Sequence, residues 1–101
     1  MKIHSIVIAT LTSPKQRFLG KLLEITPAGI TIRGVDLDAF EDWINHIAAK
    51  EESGVQASTT FFPLYRVEKM ILDDSLGAIP SFSHAFLMRA GNPIEEYLEN
   101  G

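Results

Sequence analysis

The chain has 101 residues, 46% of them hydrophobic and 22% charged, which predicts one globular domain with a modest core. It has no cysteine, which excludes disulfide bonds and thiolate metal sites, and its net charge of −4 disfavours a broad surface for nucleic acid. No apolar run approaches the ~18 residues of a membrane span, and residues 1–10 lack the apolar core of a signal peptide, so we expect a cytoplasmic protein without a membrane partner.

Two strand-like runs open the chain. Residues 3–11 carry β-branched residues on both faces, a pattern typical of a strand that is covered on both sides. A break at residues 12–14 indicates a turn, and a second strand is predicted over residues 17–25. Gly20 lies at its middle, where glycine weakens a flat strand but relieves crowding on the concave side of a bent one. The pattern predicts the strongly bent sheet of a small β-barrel.

A hairpin turn follows at residues 26–29, with the sequence TPAG. Proline fixes φ at the first central position, and Gly29 is free to adopt a positive φ, which predicts a type I turn with a glycine bulge. Apolar and polar residues alternate over residues 30–33, so a third strand is predicted to end at Gly34.

The next segment has a helical period. Apolar residues recur there at spacings of three and four: Leu37, Phe40, Ile44 and Ile47. They predict a helix over residues 39–50, with Asp38 as its N-cap and Glu41 completing a capping box. Trp43 flanks the apolar face and is either a core anchor or a contact with another chain. Small polar residues at 53–58 predict a loop.

Residues 59–72 form a second β block that contains a proline, which cannot donate to a sheet ladder. Two short strands around a tight turn at residues 63–65 fit this block and bring the strand count to five. After a short connection, Ser81 fits the cap of a short helix that ends before Gly91. Pro93 then fits the start of a last helical turn.

Two segments carry a family resemblance. Residues 20–24, GKLLE, look like the glycine-centred second strand of Sm and LSm proteins, and residues 65–70, YRVEKM, lie where the last two strands of that family meet. The resemblance covers residues 5–72 and implies a single domain built on a five-stranded, strongly bent Sm-like or SH3-like barrel. The helix at about residues 37–50 is then an insertion between strands three and four, and residues 73–101 form a helical C-terminal tail.

Sm-like proteins typically assemble into rings, in which the fourth strand of one subunit pairs with the fifth strand of the next, and they bind RNA through two loops. The resemblance implies that residues 26–29 and 65–69 would line the pore of such a ring. The chain departs from the RNA-binding motifs of the family, since Pro27 and Ile30 stand where acidic and amide residues are common.

Signals for catalysis are close to absent. The three histidines have no metal-ligand spacing, and no HExxH, GxSxG or phosphate-binding glycine loop occurs. Acidic residues gather near the predicted helix start: Asp36, Asp38, Glu41 and Asp42. They suit a helix N-terminus better than a hard cation, and Asp73 and Asp74 are interpreted as a solvated strand end. We therefore predict no enzyme, no cofactor and no metal site.

Residues 65–69 are the candidate ligand site. Tyr65, Arg66 and Lys69 would place an aromatic platform beside cations, an arrangement that fits single-stranded RNA. A second basic group would support RNA binding only if it lay on the same face: Lys15, Arg17 and Lys21.

Self-association is predicted from the strand edges. Exposed edges must be paired or protected, and the apolar pair Phe61–Phe62 adjoins one of them. The predicted interface comprises four apolar residues: Phe61, Phe62, Met70 and Leu72. The alternative is that the C-terminal helices cover that edge within one chain. We predict a non-catalytic binding and assembly module that forms a homo-oligomer, the alternatives being an RNA-binding ring or a monomeric adaptor that contacts a protein partner through the Trp43 helix or the tail.

Overall fold

The computed structural model describes residues 1–51 and 55–99. In chain order its strands and helices are β1 (Ile6–Leu11), β2 (Gln16–Thr26), β3 (Gly29–Asp36), α1 (Phe40–Ala48), β4 (Ser58–Pro63), β5 (Val67–Leu72) and α2 (Phe82–Ala90). Short 3-10 helices precede α1, join β4 to β5 and follow α2: Leu37–Ala39, Leu64–Arg66 and Ile94–Tyr97. The loop predicted at residues 53–58 lies partly outside the described residues, and its last residue opens β4.

The five strands form one open antiparallel sheet in the order β4-β3-β2-β1-β5. The prediction of a mainly β chain with five strands and added helices is confirmed. The two edge strands are consecutive in the chain and are joined by the three-residue 3-10 helix Leu64–Arg66. That connection spans about 8 Å, whereas four strand spacings would separate the edges of a flat sheet by about 19 Å. The sheet must therefore bend so that its edges approach each other at this end.

Apolar residues are buried on both faces of the sheet. The concave face holds one core cluster, in which Phe18 packs edge-on against Phe62 at a ring distance of 5.2 Å. The convex face is covered by α1, α2 and the last 3-10 helix: Ile8, Leu19 and Val35 of the sheet meet Phe40, Trp43, Ile44, Phe86, Ile94 and Leu98. Because successive strand residues face opposite sides, β1 needs apolar residues at consecutive positions to serve both clusters.

The turn at residues 26–29 differs from the predicted glycine bulge. Positive φ values among the described glycines occur only at Gly77 and Gly91, so Gly29 does not have one. The hydroxyl of Thr26 instead accepts hydrogen bonds from the backbone N–H groups of Ala28 and Gly29. Glycine is required at position 29 because a Cβ there would lie 2.2 Å from the carbonyl oxygen of Phe62.

The predicted cap of the first helical segment is also wrong by two residues. Asp36 rather than Asp38 is the N-cap, since its carboxylate accepts a hydrogen bond of 2.9 Å from the backbone N–H of Asp38. The same carboxylate accepts a hydrogen bond from the amide of Gln16. Trp43 is a core anchor, with its ring 5.1 Å from that of Phe86.

The C-terminal helix is held by two caps. Ser81 accepts a hydrogen bond from the backbone N–H of His84, as predicted. Asp73 is more than a solvated strand end, because its carboxylate accepts from the backbone N–H groups of Phe82 and Ser83, both at 2.8 Å, and from the Ser83 hydroxyl. The end of β5 is thereby tied to the start of α2.

Candidate functional site

Arg66 has a structural role in this fold. Its guanidinium donates three hydrogen bonds of 3.1 Å, to the carbonyl oxygens of Thr12 and Pro14 and to the side-chain oxygen of Gln16. It also lies over the ring of Phe62, with its central carbon 5.8 Å from the ring centroid. These contacts clamp the loop between β1 and β2 onto the 3-10 helix that joins the two edge strands.

The other two residues of the candidate ligand site are accessible. Tyr65 lies on the 3-10 helix with 85% of its surface exposed, and Lys69 is an exposed residue of β5. Lys69 lies opposite Thr10 of β1, and Thr10 lies opposite Arg17 of β2. Directly opposed residues of antiparallel strands share a face, so Lys69 and Arg17 flank Thr10 on the convex face. Lys21 of β2 lies four residues further along that same face.

The four predicted interface residues have different environments. Phe61 is 49% exposed on the convex face of β4, and Leu72 is exposed on β5. Phe62 is buried in the concave core, and Met70 is half-buried against the same cluster. Phe62 therefore contributes no free surface, while the exposed apolar residues of β4 and β5 lie at opposite edges of the sheet.

The C-terminal helices do not take the place of a sixth strand. Phe86, Ile94 and Leu98 are buried over the convex face with α1, and α2 is linked to α1 by an ion pair between Arg89 and Glu41. Within the described residues, β4 and β5 each have a strand neighbour on one side alone. Both sheet edges thus offer backbone groups for pairing with another chain.

An apolar groove of about 840 Å³ runs beside the β5 edge, and we call it the edge groove. Much of its apolar lining comes from β5, from the connection after it and from the first turn of α2: Ile71, Leu72, Leu76, Ile79, Phe82 and Ala85. Four charged residues also line it: Arg17, Glu41, Asp73 and Asp74. Leu76 and Ile79 exchange backbone hydrogen bonds and form a small flap, with the two side chains 72% and 69% exposed. Large apolar side chains at such exposure mark an interaction surface when they adjoin one another.

The flap is an addition to the sequence-based prediction, in which residues 73–80 are a simple connection. A signal for it exists in the sequence, since Leu76 and Ile79 are large apolar residues that flank the turn-forming Gly77. Sequence alone does not show that the bent sheet and α2 bring Ile71 and Phe82 to the same place.

Among residues 1–51 and 55–99, no group of three or more histidine, aspartate or glutamate side chains could hold a metal ion. In that same part of the chain, no helix is long and apolar enough to cross a membrane. Comparisons with models of known protein families, with curated proteins and with solved structures find no match to this chain.

Proposed function

We propose that this protein is a non-catalytic, Sm-like or SH3-like β-barrel module that binds other copies of itself through its sheet edges. The observation that carries the proposal is the pair of open edges, β4 and β5, on opposite sides of one sheet. Exposed apolar side chains accompany both, with Phe61 on β4 and Ile71 and Leu72 on β5. Pairing the β4 edge of one subunit with the β5 edge of the next would build a row of subunits. The row closes into a ring if the rotation from one subunit to the next adds up to a full turn.

The strand order supports the Sm-like part of the proposal. A meander of three strands, a helical segment and two short strands joined by one 3-10 turn is the order that the family resemblance implies. The bend of the sheet also supports the Sm-like part of the proposal. One short 3-10 helix joins β4 to β5, although these two strands form opposite edges of the sheet, so the sheet must curve as a small barrel does. Pairing two edges removes their unpaired backbone groups from water and covers apolar area, which offsets the entropy lost on association.

Light scattering coupled to size exclusion tests the proposal. A self-associating protein elutes above the monomer mass of 11.2 kDa at tens of micromolar and approaches it on dilution. A constant 11.2 kDa species from micromolar to millimolar concentration would overturn the proposal.

Proline at Leu72 supplies an edge-specific variant. The backbone N–H of Asp73 donates to Ile6 of β1, and successive residues of a strand direct their backbone groups to opposite sides. The N–H of Leu72 therefore points away from β1, so Leu72→Pro removes a donor from the free edge and leaves the ladder to β1 intact. We expect this variant to remain folded and to associate more weakly.

RNA binding is the second candidate, and one relationship favours it. Arg17 and Lys69 share the convex face on either side of Thr10, so basic residues from β2 and β5 lie together there. Titration of labelled oligo(U) and oligo(A) at low and physiological salt tests this candidate, because phosphate contacts weaken as salt rises. The double change Arg17→Ala and Lys69→Ala would reduce affinity and flatten the salt slope, and binding that is absent at low salt eliminates the candidate.

A further inference from the structure

We propose that two copies of this chain also associate about a twofold axis through their edge grooves, with Asp74 of each copy beside Arg17 of the other. The occupant of each groove is the flap of the second copy, formed by Leu76 and Ile79. This contact rests on the proposed function, because it adds a second surface to the same self-association. It joins like surfaces of the two copies, whereas edge pairing joins unlike ones.

Two of the four charged residues that line the edge groove are satisfied within one chain. The carboxylate of Asp73 caps α2, and Glu41 forms an ion pair with Arg89. Arg17 and Asp74 are exposed, and within the described residues neither side chain makes a hydrogen bond or an ion pair. The groove therefore presents one free cation and one free anion.

The two free charges lie at opposite ends of the groove. Arg17 lies opposite Thr10 of β1, whereas the backbone N–H of Asp73 donates to Ile6, so Asp74 lies beyond that other end of β1. Four residues of strand, about 13 Å, separate the levels of Thr10 and Ile6. A twofold axis through the middle of the groove places the Asp74 end of each copy over the Arg17 end of the other. The charges of the groove are thus complementary to themselves.

Apolar side chains occupy the groove between these ends. Ile71 of β5 is 48% exposed there, and the flap residues Leu76 and Ile79 are 72% and 69% exposed. Asp74 precedes the flap by two residues, so a flap that enters a second groove brings its own carboxylate toward the Arg17 of that groove. Burial of the apolar side chains favours association, and the two ion pairs fix the orientation of the copies.

A second copy meets both requirements of the groove, which are an apolar occupant and an acidic group for the free cation. Every contact between flap and groove is made twice about the axis, so the buried apolar area and the number of ion pairs double without any further residue. Side chains carry the contact. The backbone carbonyl of Leu72 does not have to take part, since it already accepts a hydrogen bond of 3.0 Å from Asp74.

Charge reversal tests the assigned ion pair. Arg17→Asp places two carboxylates at each contact of the twofold dimer, and Asp74→Arg places two guanidinium groups there. Each variant alone should associate at least about tenfold more weakly than the parent protein, because like charges then face each other. In an equimolar mixture, the mixed dimer has opposite charges at both contacts, so its affinity should return to within about threefold of the parent value. Light scattering on dilution measures association, and native mass spectrometry identifies the mixed dimer.

Lys15→Asp and Glu24→Arg are the matched controls. They make the same changes of charge at exposed positions that do not line the edge groove. Both should associate as the parent does, and their mixture should show no preference for mixed dimers. If Arg17→Asp and Asp74→Arg associate as strongly as these controls, or if their mixture shows no preference for the mixed dimer, the assigned contact is wrong.

Leu76→Asp tests the apolar part of the contact. A charge on the flap would have to be desolvated in the second groove, so we expect association to weaken at least about tenfold. Met88→Asp is the control, because Met88 is 71% exposed on α2 and does not line the edge groove, whereas Leu76 is 72% exposed. Equal association of the two variants would show that the flap is not the occupant.

Phe61→Asp, on the β4 edge and outside the groove, separates this contact from the proposed function. If Phe61→Asp weakens association and the two charge reversals do not, edge pairing stands and the groove contact fails. If the charge reversals weaken association and Phe61→Asp does not, the groove contact stands and edge pairing fails. A parent protein that remains a monomer at millimolar concentration overturns both.

Discussion

Gly20 of β2 and Gly34 of β3 lie directly opposite each other, on the concave face of the sheet. The two backbones approach so closely that a Cβ at Gly20 would lie 2.3 Å from the carbonyl oxygen of Arg33, and a Cβ at Gly34 would lie 1.9 Å from that of Leu19. Both obstacles are backbone atoms of neighbouring strands, which cannot move without breaking the ladder. The pair permits the bend that brings the two sheet edges toward each other.

Substituting either glycine of this pair should destabilise the fold. Gly34→Ala and Gly20→Ala are each expected to lower the free energy of unfolding by about 1–3 kcal/mol, because the added methyl group forces two strands apart. Chemical denaturation measures the change. Gly77→Asn is the matched control, since Gly77 has a φ of 59°, a Cβ added there would meet no atom within 4 Å, and asparagine tolerates this conformation. A Gly34→Ala protein as stable as the control variant would contradict the close-approach argument.

Trp43 should report on folding and not on association. It is the single tryptophan of the chain and is buried against Phe86, so its fluorescence should be that of a ring shielded from water. Dilution that dissociates the proposed oligomer should leave the emission maximum unchanged, whereas denaturant should shift it to longer wavelength. An emission change that follows the association curve would place Trp43 at the interface instead.

Truncating the same side chain tests its role in the core. Trp43→Ala is expected to cost about 3–5 kcal/mol of unfolding free energy through loss of burial and the cavity that remains. Tyr65→Ala, at a position 85% exposed, serves as the aromatic control and should change stability by no more than about 0.5 kcal/mol. Thermal or denaturant unfolding of the two variants provides the comparison.

Asp73 should stabilise the start of α2. Asp73→Ala removes the acceptor for the backbone N–H groups of Phe82 and Ser83, and we expect a loss of about 0.5–2 kcal/mol. Hydrogen exchange should be faster at these two amides than in the parent protein. Asp74→Ala, a change at the adjacent exposed carboxylate, should leave their exchange rates unaltered. If the amides of Phe82 and Ser83 exchange at the same rate in both variants, Asp73 does not cap α2.

Arg66 should be needed for stability, whatever the protein binds. Arg66→Ala breaks two hydrogen bonds to the loop between β1 and β2 and one to Gln16 at the start of β2, and a loss of about 1–3 kcal/mol is expected. Arg66→Lys should recover only part of it, because lysine lacks the planar fork that reaches several acceptors at once. Arg17→Ala, an exposed control, should be close to neutral. If Arg66→Ala keeps full stability and loses only RNA affinity, the guanidinium is a nucleic-acid contact instead.

Features set by neighbouring residues can be predicted without the structure. Consecutive β-branched residues identify β1, alternation identifies β3, Pro63 marks the break between β4 and β5, and Ser81 is correctly assigned as the cap of α2. Each of these depends on contacts within about four residues of the chain, where the geometry of helices and turns limits the choices. Gly20 can likewise be recognised as a site of bending, although its partner Gly34 cannot.

Element types, their order and the presence of a bent sheet thus follow from the sequence alone. Only the packed fold selects which side chains share a site: Asp73 caps a helix that starts nine residues later, Arg66 reaches back to Thr12, and Ile71 and Phe82 line the same edge groove. These pairs are far apart in the chain, so local preferences cannot select them. They come together only once the close approach of Gly20 and Gly34 lets the sheet bend and α2 packs on its convex face.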